Sequence, residues 1–158
     1  FYDPNFVGII NSALENAELS PEYLKLGFEE KFSLQDPEKA LLVINELSKT
    51  GIQFTIDGLG RGRSMFNLLQ NLPRNTIVKI DKAYVENITE SASDQSFLLI
   101  LLDLIKSRNL DVIISGIEKP EQVEILSTKD CILQGFYFNK PKSFKEFTDE
   151  LRIIKKPG

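Results

Sequence analysis

Short apolar runs alternate along this chain with longer segments in which apolar residues recur every three or four positions. The short runs are typical of buried strands, and the longer segments are typical of amphipathic helices. The predicted strands lie at residues 24–28, 51–57, 76–81, 111–118 and 134–138. The predicted helices lie at residues 4–16, 37–50, 65–72, 94–108, 120–129 and 143–154. Strands separated by helices at this spacing predict βαβ units, and therefore an α/β fold with a parallel sheet.

Two of the predicted helices carry clear signals at their ends. Asp36 is expected to cap the second helix, with Pro37 in its first turn and Gly51 at its exit. Ser93 is expected to cap the long helix that follows the third strand. Because the 158 residues contain no linker, repeat or low-complexity tract, we expect a single domain over residues 1–158.

Acidic residues fall at the ends of the predicted strands. Asp57, Asp81 and Glu118 end the second, third and fourth strands, and Glu30 follows the first by two residues. Lys79 shares a strand face with Asp81, because side chains two residues apart project to the same side. The carboxyl ends of parallel strands form the active face of such folds. Any one of these acids could instead be a helix cap or turn residue, but crowded carboxylates favour a divalent cation.

The composition narrows the chemistry further. The chain has no histidine, which excludes histidine-dependent catalysis and histidine metal sites, so any metal must be held by oxygen ligands. The single cysteine, Cys131, has apolar neighbours on its C-terminal side and is expected to be a buried, inert thiol. The net charge of −4 favours neither DNA, RNA nor an anionic membrane as a partner.

No membrane-spanning or leader segment is predicted. The most apolar run, 97–105, is too short to cross a bilayer and contains Asp103. The chain opens on Phe1 and shows no basic start followed by an apolar run. We therefore expect a cytoplasmic chain, or a cytoplasmic piece of a longer protein, without direct membrane insertion.

Segment 55–64, T-I-D-G-L-G-R-G-R-S, has glycine at every second position from 58 to 62, and arginines at 61 and 63. One interpretation is the phosphate-binding loop of a dinucleotide fold, with Asp81 holding a ribose. That motif needs two residues between its second and third glycines, and this chain has one. Asp57 would also face the pyrophosphate. The other interpretation is a loop that belongs, or once belonged, to a carboxylate metal site.

An ordered set of motifs along the chain resembles the EAL domain family, the cyclic di-GMP phosphodiesterases. The set comprises L-S-P-E-Y-L (19–24), L-K-L-G-F-E-E (24–30), T-I-D-G-L-G (55–60), L-P (72–73), K-I-D (79–81), Y-V (84–85), G-I-E (116–118), E-Q (121–122), Q-G-F (134–136) and K-P (140–141). The motifs come in the family's order and with its gaps. The resemblance covers nearly the whole chain.

The resemblance implies a TIM-like (β/α) barrel that is partial here, with about five of the eight strands that such a barrel needs. These would form the C-terminal two-thirds of the family's barrel. It also implies hydrolysis of cyclic di-GMP with two magnesium or manganese ions, and a lysine near the attacking water. The metal ligands that it implies are Glu30, Asp57, Asp81 and Glu118. The other implied site residues are Lys79, Glu121 and Gln134.

The same comparison implies a degenerate site. Gly58 stands where the family has its second loop aspartate, and Leu59, Arg61 and Arg63 replace its phenylalanine, threonine and tyrosine. No E-A-L segment, and no strand bearing the family's metal-binding asparagine, is found in these 158 residues. We therefore lean towards a chain that is not an enzyme. Magnesium or manganese would be the metal if any is bound.

Two functions follow from this view: a receptor for cyclic di-GMP, or a regulatory module that binds proteins. Arg61 and Arg63 are either solvated loop residues or candidates to bind ligand phosphates or the carboxylates of a protein partner. A second copy of the chain or another protein is expected to cover the apolar edge that a partial barrel leaves. The alternative is an active metal-dependent phosphodiesterase whose N-terminal strands come from a longer parent chain.

Overall fold

The structure, a computed structural model, describes residues 3–29, 36–59 and 69–154. Within them a five-stranded sheet has all strands parallel and in chain order. Its strands are β1 (Lys25–Glu29), β2 (Gln53–Leu59), β3 (Thr76–Ile80), β4 (Asp111–Ser115) and β5 (Ile132–Gln134). The helices are α1 (Phe6–Asn16), α2 (Pro37–Ser48), α3 (Ala92–Ser107), α4 (Pro120–Leu126) and α5 (Phe144–Ile154). The predicted parallel α/β sheet is confirmed. Of the predicted helix 65–72, residues 69–71 are helical, and 65–68 lie outside the described residues.

The two faces of the sheet differ in how completely they are covered. Phe54 and Ile56 are fully buried, in one cluster with apolar residues of α1, α2, α3 and α4. Successive side chains of a strand point to opposite faces. Thr55 and Asp57 therefore lie on the other face, where they are partly exposed. Lys79 of β3 is also partly exposed on that face. The helices cover one face of the sheet, and the charged side chains of β2 and β3, Asp57 and Lys79, lie on the open face.

The helix ends confirm one predicted cap and correct another. The Asp36 carboxylate accepts a hydrogen bond from the Lys39 amide at 3.1 Å, and Gly51 has a φ of +102°. The cap of α3 is Ser91 rather than Ser93, because the helix begins at Ala92 and the Ser91 hydroxyl accepts from the Asp94 amide at 3.2 Å. The apolar stripe did not mark this start, since the first turn is polar and faces water.

The corrected cap makes a direct prediction about stability. We expect Ser91→Ala to lower the free energy of unfolding by about 1 kcal/mol, because the Asp94 amide loses its hydrogen-bond acceptor. Ser93→Ala is the matched control, since Ser93 lies inside the exposed first turn and should change stability by less than about 0.5 kcal/mol. Urea denaturation of both variants measures the difference. An equal loss in the two would contradict the assignment of Ser91.

Strand β2 does not end at Asp57, as the sequence pattern predicted, but continues to Leu59. Asp57 pairs with Lys79 and Leu59 pairs with Ile80, so Gly58 is an extra residue in a β-bulge. Gly58 adopts a φ of +72°, a conformation in which glycine avoids the steric cost that a side chain would add. The bulge lets the strand continue until Leu59 is fully buried.

The fifth strand is Ile132–Gln134, not the predicted 134–138. Gly135 lies directly against the backbone of Ile117, where a side chain would not fit. The chain turns at this point, and the Phe138 amide donates to the Gly135 carbonyl at 3.1 Å. The aromatic residues of 136–138 predicted a strand by their composition, but they are exposed in this turn.

Two further expectations concern Cys131 and the membrane. Cys131 is half-buried, and burial raises the pKa of its thiol, although the Lys106 charge opposes the shift. The thiolate is therefore scarce at neutral pH, as expected for an unreactive cysteine. In the part of the chain that the structure describes, no helix combines the length and the apolar character needed to cross a membrane.

Candidate functional site at the carboxyl ends of the strands

Asp57 and Lys79 form the best-defined polar pair of the site. They are register partners on β2 and β3, and both side chains lie on the open face of the sheet. The Lys79 Nζ is 3.6 Å from the Asp57 Oδ2, and the two side chains are 26% and 49% exposed. At this exposure water screens much of the attraction, so the pair contributes little stability. The Lys79 ammonium nevertheless offsets part of the negative charge of the Asp57 carboxylate next to the Gly58 bulge.

Asp81 lies one residue beyond the end of β3 rather than within the strand. Its carboxylate caps the short 3-10 helix Lys82–Tyr84 and accepts a hydrogen bond from the Ala83 amide at 3.0 Å. The helix-cap interpretation of the acidic strand ends therefore holds for this residue.

Glu118, Glu121 and Gln134 all expose their side chains at the ends of β4 and β5. β4 ends at Ser115, so Glu118 lies in the connection to α4 rather than at the strand end. Glu121 is in the first turn of α4. The Gln134 carbonyl accepts from the Ile117 amide at 3.1 Å, which places the last residue of β5 beside this connection.

The predicted metal ligands supply the oxygen atoms that magnesium and manganese prefer. Across residues 3–29, 36–59 and 69–154, however, no three carboxylates come close enough together to hold a cation. Glu30, Arg61 and Arg63 lie outside the described residues, so the structure does not place them. The described residues alone do not make a metal centre, and the predicted set of metal ligands stays a prediction.

The model of the EAL domain family matches residues 1–141. The chain belongs to the EAL domain family. It is 28% identical over 142 residues to the bifunctional diguanylate cyclase/cyclic di-GMP phosphodiesterase MucR of Pseudomonas aeruginosa, which covers 89% of the chain and 21% of MucR. The chain thus spans about a fifth of the length of the curated relatives it matches.

Solved structures confirm the predicted fold. The EAL domain of Mycobacterium smegmatis DcpA superimposes with a TM-score of 0.86 at 25% identity, covering 99% of this chain and 70% of that one. The PaMucR phosphodiesterase in its c-di-GMP complex gives a TM-score of 0.82 at 26% identity, covering 92% and 59%. This EAL chain is therefore part of a TIM-like barrel, and its five described strands are a partial set.

Gln122 is the residue of this EAL chain whose role the sequence did not indicate. It is 2% exposed, and its Oε1 accepts hydrogen bonds from the Glu118 and Lys119 amides at 2.8 and 2.9 Å. Its Nε2 donates to the Val85 carbonyl at 3.0 Å. The local signal was available: a glutamine at the third position of a helix can bond back to the backbone of the cap residue. The bond to Val85 links α4 to the segment that follows β3, and no local sequence pattern predicts it.

Proposed function

We propose that this chain is part of a degenerate EAL domain of cyclic di-GMP signalling, and that it binds the nucleotide without hydrolysing it. Family membership and the names of its relatives support the ligand. MucR is named a cyclic di-GMP phosphodiesterase, and PaMucR was solved in complex with c-di-GMP. The chain would then be a receptor or regulatory module rather than an enzyme. Its cytoplasmic location stays a prediction.

Gly58 is the observation that carries the loss of hydrolysis. It occupies the bulge of β2, beside Asp57, where the family motif has a second aspartate. A two-metal phosphodiesterase draws much of its rate from the charge of its ions, which carboxylates hold in place. Without this carboxylate, magnesium or manganese would be held by fewer ligands or not at all. Lys79 would then be the main positive charge close to Asp57.

Retention of binding is supported by the residues that the motif comparison preserves. Lys79 and Gln134 offer a cation and an amide at the rim where the family's site lies. A cluster of carboxylates without its full metal complement repels a phosphate diester, so another positive charge must offset that repulsion. Arg61 and Arg63 are our candidates, because a guanidinium can donate two parallel hydrogen bonds to a phosphate.

Calorimetric titration with cyclic di-GMP, together with a turnover assay in excess Mg²⁺ and Mn²⁺, tests this function. We expect a Kd that is roughly micromolar or weaker, equivalent to about 8 kcal/mol or less. We expect divalent metal to strengthen the binding of cyclic di-GMP. No linear dinucleotide should form at an ordinary enzymatic rate, on the order of 1 per second. Turnover at that rate would refute the non-hydrolytic function and favour the phosphodiesterase alternative. The same turnover assay on a longer parent chain tests that alternative directly.

The contribution of the arginines needs its own variants. Arg61→Ala combined with Arg63→Ala should weaken binding, whereas Arg74→Ala should not, because Arg74 is exposed and precedes the amino end of β3, at the opposite rim. Equal affinity in the wild type, the double variant and Arg74→Ala would mean that Arg61 and Arg63 do not contact the ligand. The control also reveals any effect of lowering the positive charge alone.

A protein-interaction module is the second candidate, and exposed apolar side chains around β5 favour it. Ile132, Phe136 and Phe138, in β5 and the turn after it, are each more than half exposed, and the equally exposed Phe147 lines the same cleft as Phe136 and Phe138. Such a patch is typical of a surface that another chain covers. A second copy or another protein would be the partner. This candidate replaces the first if neither the chain nor a longer parent binds cyclic di-GMP in the presence of metal.

A further inference from the structure

Two loops at the rim of the sheet are joined at several points. The β3 loop, residues 81–91, begins at Asp81, and the β4 loop, residues 116–119, contains Glu118. Where the loops begin, the Ser115 hydroxyl donates to the Ile80 carbonyl at 2.7 Å. Gly116, with a φ of +84°, lies so close to Lys82 that an added Cβ would be 2.2 Å from the lysine Cβ. The two predicted carboxylate ligands therefore sit on loops that pack directly against each other.

Gln122 provides the buried part of this joint. Its carboxamide oxygen holds two amides of the β4 loop, and its nitrogen holds the Val85 carbonyl of the β3 loop. At 2% exposure, water cannot replace these three bonds without opening the structure. The outer link between the loops, from the Lys119 ammonium to the Glu90 carboxylate at 3.2 Å, is exposed and contributes little.

The bonds of Gln122 fix the backbone of Glu118 rather than its side chain. The Glu118 amide donates to Gln122, while the Glu118 carboxylate remains exposed at the rim. On the other loop, Val85 is four residues from Asp81, with the 3-10 helix Lys82–Tyr84 between them. A single buried side chain thus bonds to both backbone segments that carry these acids.

We infer that Gln122 is a positioning residue for ligand binding at this rim. It holds Glu118 and Asp81 at a fixed separation, so that a cation between the two carboxylates meets the ligand without prior ordering of the loops. The inference rests on the proposed function, since the ligand is cyclic di-GMP. Residues that orient the ligands of a metal commonly change metal affinity or activity by roughly ten- to hundredfold when they are replaced.

Gln122→Met tests this, because methionine has nearly the same volume and makes none of the three hydrogen bonds. We expect its affinity for cyclic di-GMP to fall roughly ten- to hundredfold at a temperature at which the variant is fully folded. Glu124→Gln is the matched control on the same helix, since Glu124 is exposed and lies outside the site. Wild-type affinity in folded Gln122→Met would overturn the inference.

A double-mutant cycle separates positioning from general stability. If Gln122 acts through Glu118, then Gln122→Met should cost much less affinity in a Glu118→Gln background than in the wild type. A role confined to folding would give the same loss in both backgrounds, and that result would also overturn the inference.

Amide hydrogen exchange tests the joint without any ligand. Gln122→Met should expose the Glu118 and Lys119 amides, and also the amides of Tyr84 and Val85, which bond within the β3 loop and not to Gln122. We expect protection at these positions to fall about tenfold or more. Unchanged protection of Tyr84 and Val85 would mean that the loops are not coupled through Gln122.

These measurements distinguish the inference from the proposed function. If the wild type binds no cyclic di-GMP while exchange shows coupled loops, the proposed function fails and the joint stands. If the wild type binds cyclic di-GMP, and Gln122→Met uncouples the two loops without losing affinity, the inference fails and the proposed function stands. Should Gln122→Met not fold, Gln122→Glu serves in its place, because its carboxylate can still accept from both amides but cannot donate to Val85. The same losses in the β3 loop and in affinity are then expected, and their absence overturns the inference.

Discussion

Gly58→Asp is expected to tighten the binding of Mn²⁺ by roughly ten- to hundredfold, in line with the effects of altering groups around metal sites. The new carboxylate would stand beside Asp57, at the position where the family motif has its second aspartate. The structure has room for it, because a Cβ at Gly58 meets no atom of the described residues within 4 Å. The φ of +72° imposes a cost of about 1–3 kcal/mol on stability, and aspartate tolerates this conformation better than most residues.

Gly58→Asn is the matched control for this prediction. Asparagine has the same shape and meets the same backbone conformation, but it carries no charge. Calorimetric titration with MnCl₂ should therefore show the gain for aspartate and little gain for asparagine, while urea denaturation should show similar stability losses for both. Equal metal affinity in Gly58→Asp and Gly58→Asn would contradict the view that a lost carboxylate limits this site.

Gly135→Ala is expected to lower the free energy of unfolding by about 1–3 kcal/mol, the range typical of overpacked positions. An alanine Cβ would lie 2.0 Å from the Ile117 carbonyl oxygen and 2.3 Å from the Ile117 nitrogen. These are backbone atoms, so the clash cannot be relieved by rotating a side chain. The bonds from Ile117 to Gln134 and from Tyr137 to Ile117, at 3.1 and 3.0 Å, must shift instead.

Gly8→Ala is the control for Gly135→Ala. Gly8 lies in α1, and a Cβ there meets no described atom within 4 Å. Alanine should therefore stabilise the helix by about 0.5–1 kcal/mol. Opposite signs in urea denaturation would establish that close backbone contact, and not the loss of glycine as such, destabilises Gly135→Ala. A neutral Gly135→Ala would mean that the β5 turn can move away from Ile117.

The amino-acid sequence determined the class of fold and the family. Apolar periodicity reports which face of each element is buried, and this property is local. It therefore predicted five parallel strands separated by helices, and the ordered motifs indicated the EAL domain family. The sequence also predicted that Asp57 and Lys79 lie close together, because strand parity and a parallel register bring the ends of consecutive strands together.

The tertiary structure decided where the elements end and how the rim is built. β2 passes Asp57 because Gly58 forms a bulge, and β5 stops at Gln134, where the next residue must be a glycine because it meets the Ile117 backbone. Gln122 joins two loops through its bond to Val85, a residue 37 positions earlier in the chain. Each of these features depends on contact between segments that are distant in sequence. Hydrophobic periodicity records burial within one segment, so it carries no information about which distant backbone group a side chain or a glycine will meet.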